Sequence, residues 1–587
     1  MRIRRWRPAL AVVTVLLVLA GCVAVPTSGP VERIAGGLPE CTNCVDVVVA
    51  PPAFADTPQQ IVEGYLRANS NFQPAYSVAR QFLTEAAAGR WSPEAGARIY
   101  RGNTQADGDR VTLNGRLVGL LGSDRTYTPQ DRALRVDFGL VKENGQWRIS
   151  KPPNGLLVAD FAFDSFYLPF NLYFVGNGRS LVPDPIYLPT VQSPAGLASV
   201  LMRALLGGAS DWLKPAVTTA IPADTALSVD SVTVSGGVAD IPLNDVVLGL
   251  NDAQRSLMAA QVAYTLESAE IGIRAVRFTV NGQPYPIPGG NPDTFEVSKD
   301  ANFGELNPIP VVAGDQLYAM RRRGVEQVNP ASDVPDAKPM PGAFGRPGIS
   351  VQSMGVSLGG TDLVAVTDNG TVLRRGTTAG GTVTDVPLGA SGLIRPQFSR
   401  FGEIWAIGEE AGQQRLWVIE GRKRTEVATD VLKQGRVVAF KISPDGSRIG
   451  LVRDVNGKTE LGLLRIVRSD RVTVDGWRPL QVNRTSAPKE STPNLTRVVD
   501  VAWANATDLI VLAGPSGNVP LAPYRIRQDA LTVIAEGEAN NWDAVALTVS
   551  LATQASIVVG RDQQTWRDSG SQWVAYLDGV RAIAYPG

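Results

Sequence analysis

The cysteines and histidines decide which chemistry this chain of 587 residues can carry out. It contains three cysteines, Cys22, Cys41 and Cys44, and no histidine. Without histidine, Ser-His-Asp and Cys-His nucleophilic systems, imidazole metal sites and histidine phosphorelay chemistry are all excluded. Three cysteines, one of which has another use, are also too few for a thiolate zinc site. We therefore expect a protein that is not an enzyme and that holds no metal or cofactor.

Cys22 comes directly after a short apolar segment. Four arginines lie within the first seven residues, and the apolar run from Ala9 to Ala20 is too short to cross about 30 Å of hydrocarbon. The stretch Leu19–Cys22 resembles a bacterial lipobox, and this resemblance implies cleavage before Cys22 and lipidation of its sulfur. Residues 1–21 are then a lipoprotein signal peptide, and the mature chain is lipid-anchored at the extracytoplasmic face of the cell membrane. The alternative is a plain secretory signal.

Cys41 and Cys44 lie in a segment without periodicity, residues 22–55, which we predict to be a flexible tether. A thioredoxin-like redox motif requires a strand-to-helix junction, and Pro39 argues against one here. Outside the cytoplasm a short structural disulfide between Cys41 and Cys44 is favoured over two free thiols.

Two further motifs suggest catalysis but are assigned to turns and loops. Ser486 and Lys489 match the S-x-x-K nucleophile signature, which needs both side chains one helical turn apart. Pro488 and the polar residues around it indicate a loop, so we treat this match as chance. Asp445 stands in Ser443-Pro444-Asp445-Gly446, where Pro and Asp-Gly favour a tight turn, and we interpret it as a turn residue.

The elements that position these residues begin with an N-terminal α+β domain, residues 56–158. Thr57 and Pro58 form a helix start, and a second helix and several strands follow, with a turn at Glu143–Gly145. Two helices followed by a curved antiparallel sheet resemble the ketosteroid-isomerase-like cone fold. No acid–base pair stands out in it, so we expect a packing and interaction domain.

Residues 159–290 predict a second α+β domain. Two strands, an amphipathic helix around Leu201, a hairpin at Gly236-Gly237, another helix and the strand "VRFTVNG" follow in order. The order of these apolar segments resembles a GerMN domain, a module of sporulation, germination and envelope proteins. The resemblance implies binding or assembly and supplies no catalytic residues.

Residues 291–587 predict a β-propeller. The motif hydrophobe-Ser-x-x-Gly recurs with its serines at positions 357, 399 and 443, which are 42 and 44 residues apart, and an apolar strand follows each time. A period of that length with a turn between strands fits a four-stranded blade. We expect five to seven blades. The overall fold class is thus multidomain and mainly β, with two α+β domains.

The charge balance argues against nucleic acid as a partner. Lys plus Arg and Asp plus Glu both number 56, whereas a nucleic-acid-binding protein needs a basic excess. The triplet Arg321-Arg322-Arg323 is the one local exception, and we interpret it as a solvated strand or turn.

The order of these parts is similar to that of the LpqB family, actinobacterial lipoproteins with a GerMN domain and a C-terminal propeller. The similarity extends over essentially the whole chain. It implies an accessory role in two-component signalling. The partner would be the extracytoplasmic domain of an MtrB-type sensor histidine kinase, with effects on response-regulator phosphorylation, cell-wall homeostasis and cell division.

Two other functions fit the same sequence. The first is a cell-wall glycan or peptide binder, or a hydrolase, that uses the propeller channel. Paired carboxylates at the centre would support hydrolysis, and exposed indoles would support glycan binding. The candidate indoles are Trp405, Trp417, Trp503 and Trp542, although packing in blade cores is favoured for each. The second is a purely structural envelope scaffold.

Overall fold

The computed structural model describes residues 49–70, 76–177, 180–190, 193–289, 294–296, 306–310, 314–330, 332, 335–482, 494–517, 519–537, 542–570 and 572–587. The three cysteines and the Ser486–Lys489 motif lie outside these ranges, so their predicted roles stay predictions. In the ranges given, no helix combines the length and the apolar character that crossing a membrane requires.

The N-terminal domain packs helices against a mixed sheet. Its elements are α1 (Pro58–Ser70), α2 (Ser77–Gln81), α3 (Glu85–Arg90), β1 (Ala97–Asp107), β2 (Arg110–Leu121), β3 (Tyr127–Asp137), β4 (Leu140–Glu143), β5 (Gln146–Ile149) and β6 (Leu156–Ala159). The sheet order is β3-β2-β1-β6, with β1 and β6 parallel, and β4-β5 form a separate hairpin.

Local sequence signals account for several of these boundaries. The Thr57 hydroxyl accepts from the Gln60 amide while the Gln60 side chain accepts from the Thr57 amide, a reciprocal cap that starts α1. Asn144 and Gly145 have φ values of 52° and 78°, as a two-residue hairpin turn requires. The helices-then-sheet order agrees with the prediction, but the ketosteroid-isomerase-like cone itself is not confirmed.

The second domain consists of two small sheets around two main helices. Its elements are α4 (Asp160–Phe166), β7 (Tyr167–Gly176), β8 (Leu181–Pro189), α5 (Pro194–Leu206), β9 (Val217–Thr218), β10 (Thr233–Ser235), β11 (Val238–Leu243), α6 (Asp252–Glu267), β12 (Ala275–Val280) and β13 (Gln283–Pro284). The sheet orders are β8-β7-β9 and β10-β11-β12-β13.

Strand β8 is the structural centre of this domain. Every residue from Leu181 to Pro189 is buried. Leu181 and Ile186 belong to the core of the second domain, whereas Tyr187 packs in the core of the N-terminal domain. Because one strand contributes to two cores, the two α+β domains pack against each other.

In the part of the chain that the structure describes, the remaining strands form six four-stranded sheets, which confirms the propeller and falls within the predicted range of blades. The strands of blades one to three are β14 (Leu317–Arg321), β15 (Gly324–Asn329), β16 (Asp336–Pro339), β17 (Ser353–Val356), β18 (Asp362–Thr367), β19 (Val372–Thr377), β20 (Thr384–Val386), β21 (Gln397–Phe398), β22 (Ile404–Glu410), β23 (Gln413–Glu420) and β24 (Lys423–Glu426).

Blades four to six follow, and the last strand closes the ring. These strands are β25 (Arg436–Ile442), β26 (Arg448–Val455), β27 (Lys458–Arg468), β28 (Val472–Pro479), β29 (Arg497–Trp503), β30 (Asp508–Gly514), β31 (Ala522–Arg527), β32 (Val533–Ala535), β33 (Ala544–Val549), β34 (Ser556–Gly560), β35 (Thr565–Asp568), β36 (Trp573–Ala575) and β37 (Ala582–Ala584). Strand β37 pairs with β14 and so completes blade one.

The repeated serine marks the turn between the first and second strands of a blade. Ser357, Ser399 and Ser443 each donate a backbone hydrogen bond across that turn, to Asp362, Glu403 and Arg448 respectively. Ser550 donates likewise to Ala555 in blade six, a copy that the sequence pattern did not reveal.

Antiparallel strands place alternate loops on opposite faces of the propeller. Loops after the first and third strands of each blade lie on one face, which we call the junction face. Loops after the second strand and connections to the next blade lie on the other, which we call the far face.

Candidate interaction surfaces

A fully buried ion pair lies where the second domain meets the junction face. Arg448, at the start of β26, pairs with Asp445, and both side chains are 0% exposed. The Arg448 guanidinium also donates to the Gln528 side chain, to the Ala506 carbonyl at 2.9 Å and to the Pro183 carbonyl of β8 at 3.4 Å. One side chain therefore connects two adjacent blades with the second domain.

Three further hydrogen bonds hold β7–β8 and the loop after α5 against blades four and five. The Ser180 hydroxyl donates to the Asp445 carbonyl at 3.0 Å. The Tyr187 hydroxyl donates to the Asp529 carboxylate at 2.8 Å, and the Trp212 indole to the Gly476 carbonyl at 2.7 Å. The junction is thus an extended surface and not a single point.

The N-terminal domain takes part in the same contact. Arg478 on β28 donates to the Tyr127 carbonyl at 3.0 Å, and Leu531 packs against the N-terminal core. Leu531 belongs to the loop after the third strand of blade five, which lies on the junction face. Both α+β domains therefore lie on the same side of the propeller.

Asp445 occupies the turn position predicted for it. Gly446 has a φ of 77°, and one Asp445 carboxylate oxygen accepts from the Ser447 amide and the Ser443 hydroxyl at 2.9 Å each. The second role, as counter-ion of Arg448, was missed by the sequence reasoning. The arginine three residues after the aspartate is its only local signal.

The four tryptophans considered for glycan stacking are in blade cores. Trp405, Trp417, Trp503 and Trp542 are 0%, 0%, 1% and 3% exposed, so none offers an indole face to a sugar. Trp405 donates to Glu403 and Trp542 to the Leu521 carbonyl. The glycan-platform alternative for these residues is wrong, because their apolar surface fills the space between neighbouring sheets.

The propeller channel carries a charge network in place of a carboxylate pair. Asp500 is the one acidic residue on the innermost strands as the structure bounds them. Its carboxylate pairs with Arg395 and accepts from the Leu547 amide at 2.8 Å. Among the described residues no three acidic or cysteine side chains group as metal ligands. These strands do not supply the two carboxylates of a glycoside hydrolase.

Lys441 adds a second cation to the channel. Its ammonium donates to the Gly587 carbonyl, while the Gly587 amide donates to Val356 on the innermost strand of blade two. Gly587 thus bridges strands of two different blades inside the channel. Burial, with a smaller effect of Arg395, lowers the pKa of Lys441 to about 7 against the opposing effect of Asp500.

The far face carries a solvent-open groove between blades three and four, with a volume of about 630 Å³. One wall is the turn and start of β23; the other is the connection from β24 to β25. Its lining residues are Glu409, Gly412, Gln413, Gln414, Arg415, Leu416, Glu426, Val427, Ala428, Thr429, Leu432, Lys433, Gly435 and Arg436. No sequence motif indicates this groove, because its lining residues come from the β22–β23 hairpin, the β24–β25 connection and the first residue of β25.

Three family models match the chain. Residues 51–164 match "Lipoprotein LpqB, N-terminal domain", residues 171–286 match "Sporulation and spore germination", and residues 331–586 match "Lipoprotein LpqB beta-propeller domain". The second match confirms the GerMN resemblance. The matched ranges follow the same order as the domains of the structure.

Full-length relatives are found in several actinobacteria. "Lipoprotein LpqB" of Cutibacterium acnes is 31% identical over 98% of this chain and 98% of that protein. "Lipoprotein LpqB" of Streptomyces coelicolor is 26% identical over 99% and 98%. Among solved structures, TolB from Acinetobacter baumannii covers 55% of this chain and 85% of its own, at 12% identity and a TM-score of 0.35. The fold assignment rests on strand order and family models.

Proposed function

The chain belongs to the LpqB lipoprotein family, and on that premise we propose that it binds and modulates an MtrB-type sensor histidine kinase. In this proposal the protein is lipid-anchored through Cys22 at the extracytoplasmic face of the cell membrane. There it contacts the extracytoplasmic domain of the kinase. Through that contact it affects response-regulator phosphorylation, cell-wall homeostasis and cell division.

The proposed anchor gives a weak contact a large effect. Twenty-six residues lie between Cys22 and Val49, the first described residue, and a segment of that length reaches at most about 90 Å when fully extended. Two partners held on one membrane within that distance meet at an effective concentration far above their concentration in solution. A modest intrinsic affinity therefore suffices.

The proposed mechanism is a population shift. A partner that binds one conformation of the kinase ectodomain better than another moves the kinase towards that conformation. A tenfold difference in affinity corresponds to about 1.4 kcal/mol and changes the ratio of the two states tenfold at saturation. The absence of histidine fits this division of labour, because the phosphoryl group is carried by the kinase and not by this chain.

The observation that carries the proposal is the distribution of contact surfaces. The channel holds Gly587 and an Arg395–Asp500 ion pair, and the junction face of blades four and five is covered by the α+β domains. The groove on the far face is open to a further macromolecule. This arrangement supports a binding role.

Cross-linking in intact cells tests the proposal. We expect the kinase to be recovered with the wild-type chain, and regulator phosphorylation to change when the chain is deleted. The Cys22→Ala variant should leave the membrane fraction and lose the effect on phosphorylation. Recovery of cell-wall fragments without the kinase, or unchanged phosphorylation on deletion, would contradict the proposal.

A further inference from the structure

We propose that the far-face edge of blade one binds the phosphate headgroups of an anionic lipid bilayer. The contact is made by four exposed arginines, which we call the arginine cluster: Arg322, Arg323, Arg346 and Arg581. This inference goes beyond the function proposed above, because it concerns how the propeller lies on the membrane and does not involve the kinase.

The triplet Arg321–Arg323 contributes two members of the arginine cluster. The register of β14 and β15 leaves Arg322 and Arg323 as the two residues of the turn between these strands. Counted from β37, the innermost strand of blade one, β14 is the second strand, so this turn lies on the far face. The Arg581 amide donates to the Met320 carbonyl at 3.0 Å, next to the same turn.

Arg346 reaches this turn through a close backbone contact. Gly324 has a φ of 139°, and a Cβ at this position would lie 2.7 Å from the Gly345 carbonyl carbon, so glycine is required. The Val325 amide also donates to the Phe344 carbonyl at 2.8 Å. The connection from blade one to blade two is therefore held against the β14–β15 turn, one residue before Arg346.

The arginine cluster has no carboxylate partner in the part of the chain that the structure describes. All four side chains are exposed, and none of them has an ion pair or a hydrogen bond there. Basic residues exceed acidic residues by three in segments 321–326, 344–346 and 578–581. Of the acidic residues in these segments, Glu326 is paired within its own hairpin, and Asp578 pairs with none of the four arginines.

Unpaired arginines of the propeller gather mainly at this edge. In the described residues from 314 to 587, six arginine side chains have neither an ion pair nor a hydrogen bond, and four of them form the cluster. The other two, Arg422 and Arg471, lie singly in the β23–β24 and β27–β28 turns on the junction face. Most propeller arginines thus meet a partner within the fold, and the exceptions are concentrated in one place.

An anionic bilayer fits this chemistry better than a protein surface does. The planar guanidinium forms paired hydrogen bonds with phosphate oxygens. Stable protein interfaces have an apolar centre, whereas none of the exposed large apolar side chains of the described residues lies in the three segments. Basic side chains without an apolar anchor are attracted to anionic headgroups by charge alone.

The arginine cluster acts as a second membrane contact. Its attraction is screened beyond about 8 Å at physiological ionic strength, so it is weak without an anchor. The lipid proposed on Cys22 supplies the attachment, and the cluster fixes which side of the propeller faces the bilayer. Blades one and four are opposite each other in a ring of six, so this edge contact leaves the groove between blades three and four open.

Sedimentation with lipid vesicles tests the inference. The chain from residue 23 onwards keeps every described residue and carries no lipid, so its binding reports the protein surface alone. The vesicles contain either equal parts of phosphatidylglycerol and phosphatidylcholine or phosphatidylcholine only. The test variant carries Arg322→Ser and Arg323→Ser. The matched control carries Arg422→Ser and Arg471→Ser, which remove the same charge from exposed, unpaired turn residues. Equal Tm values establish that the variants are folded.

We expect the wild type to bind the anionic vesicles at low ionic strength, to leave them at high ionic strength, and not to bind phosphatidylcholine. Each arginine near an anionic surface strengthens binding about fivefold, so the test variant should bind about 30-fold more weakly. The control should bind like the wild type. Equal affinities of the two double variants, or equal binding to both kinds of vesicle, would overturn the inference. Unchanged vesicle binding by the test variant with loss of binding to the purified kinase ectodomain would also overturn it, and would identify the cluster as a protein contact.

Discussion

Replacing Arg448 by Met removes the cation that joins β8 to blades four and five. The Asp445 carboxylate stays buried with its two hydrogen bonds from Ser443 and Ser447, but loses its ion pair with Arg448. Breaking a buried ion pair by removing one partner costs about 3–5 kcal/mol. For the roughly 270 residues of the propeller, an unfolding entropy of about 2.1 cal/mol/K per residue converts this loss to a Tm decrease of about 5–9 °C.

Differential scanning calorimetry of the full chain measures this decrease, because it reports each transition when several domains unfold separately. Arg374→Met is the control. Arg374 pairs with Asp368 and Asp385 but is 24% exposed, and such a pair contributes about 1 kcal/mol at most. The double variant Arg448→Met, Asp445→Asn should recover part of the loss, since it leaves no buried charge unpaired. Equal Tm values for Arg448→Met and Arg374→Met would refute the reasoning.

Three further outcomes are expected. Lys441 has a folded-state pKa of about 7 against an ordinary value of 10.5, so the unfolded chain binds more protons than the folded chain between these two pH values. The free energy of unfolding therefore rises from pH 7 to pH 9, and Lys441→Met should flatten that rise when it is measured by urea denaturation. An equally steep rise in the variant would contradict the assignment. Deleting residues 582–587 removes the strand that pairs with β14 and should abolish the cooperative calorimetric transition of the propeller. Deleting the exposed residues 422–423 is the control and should leave that transition in place. Tyr187→Phe removes the hydrogen bond to Asp529 and should lower stability by about 1–3 kcal/mol, since a buried carboxylate loses a donor; an effect no larger than that of Tyr524→Phe would count against it.

Local chemistry made several elements predictable from sequence. Thr57 and Pro58 start α1 because cap and first-turn preferences act within four residues. The serine repeat predicted blades because each copy is satisfied within its own turn. The contacts that build the interaction surfaces instead join residues that are far apart in the sequence. Arg448 and Pro183 are separated by 265 residues, and β37 pairs with a strand more than 260 residues earlier. No periodicity relates such positions.

The packing interpretation of the four tryptophans is confirmed, and burial explains why the glycan-stacking alternative is wrong. An indole on a strand has the same local sequence signature whether its face packs on the next blade or faces water. Trp417 is 0% exposed because its ring packs with Leu373 and Ile404 of neighbouring strands, and Arg424 lies over it at 4.9 Å. Whether such an indole is core or surface depends on how the neighbouring sheets pack, which the local sequence does not show.

Strand β25 relates the two surfaces to each other. It begins at Arg436 in the groove and ends at Ile442, directly before the turn that carries Asp445. Seven residues span about 23 Å, so the groove and the junction lie at opposite ends of one strand. The N-terminal domain contacts the junction side of the propeller. The groove therefore faces away from the N-terminal domain.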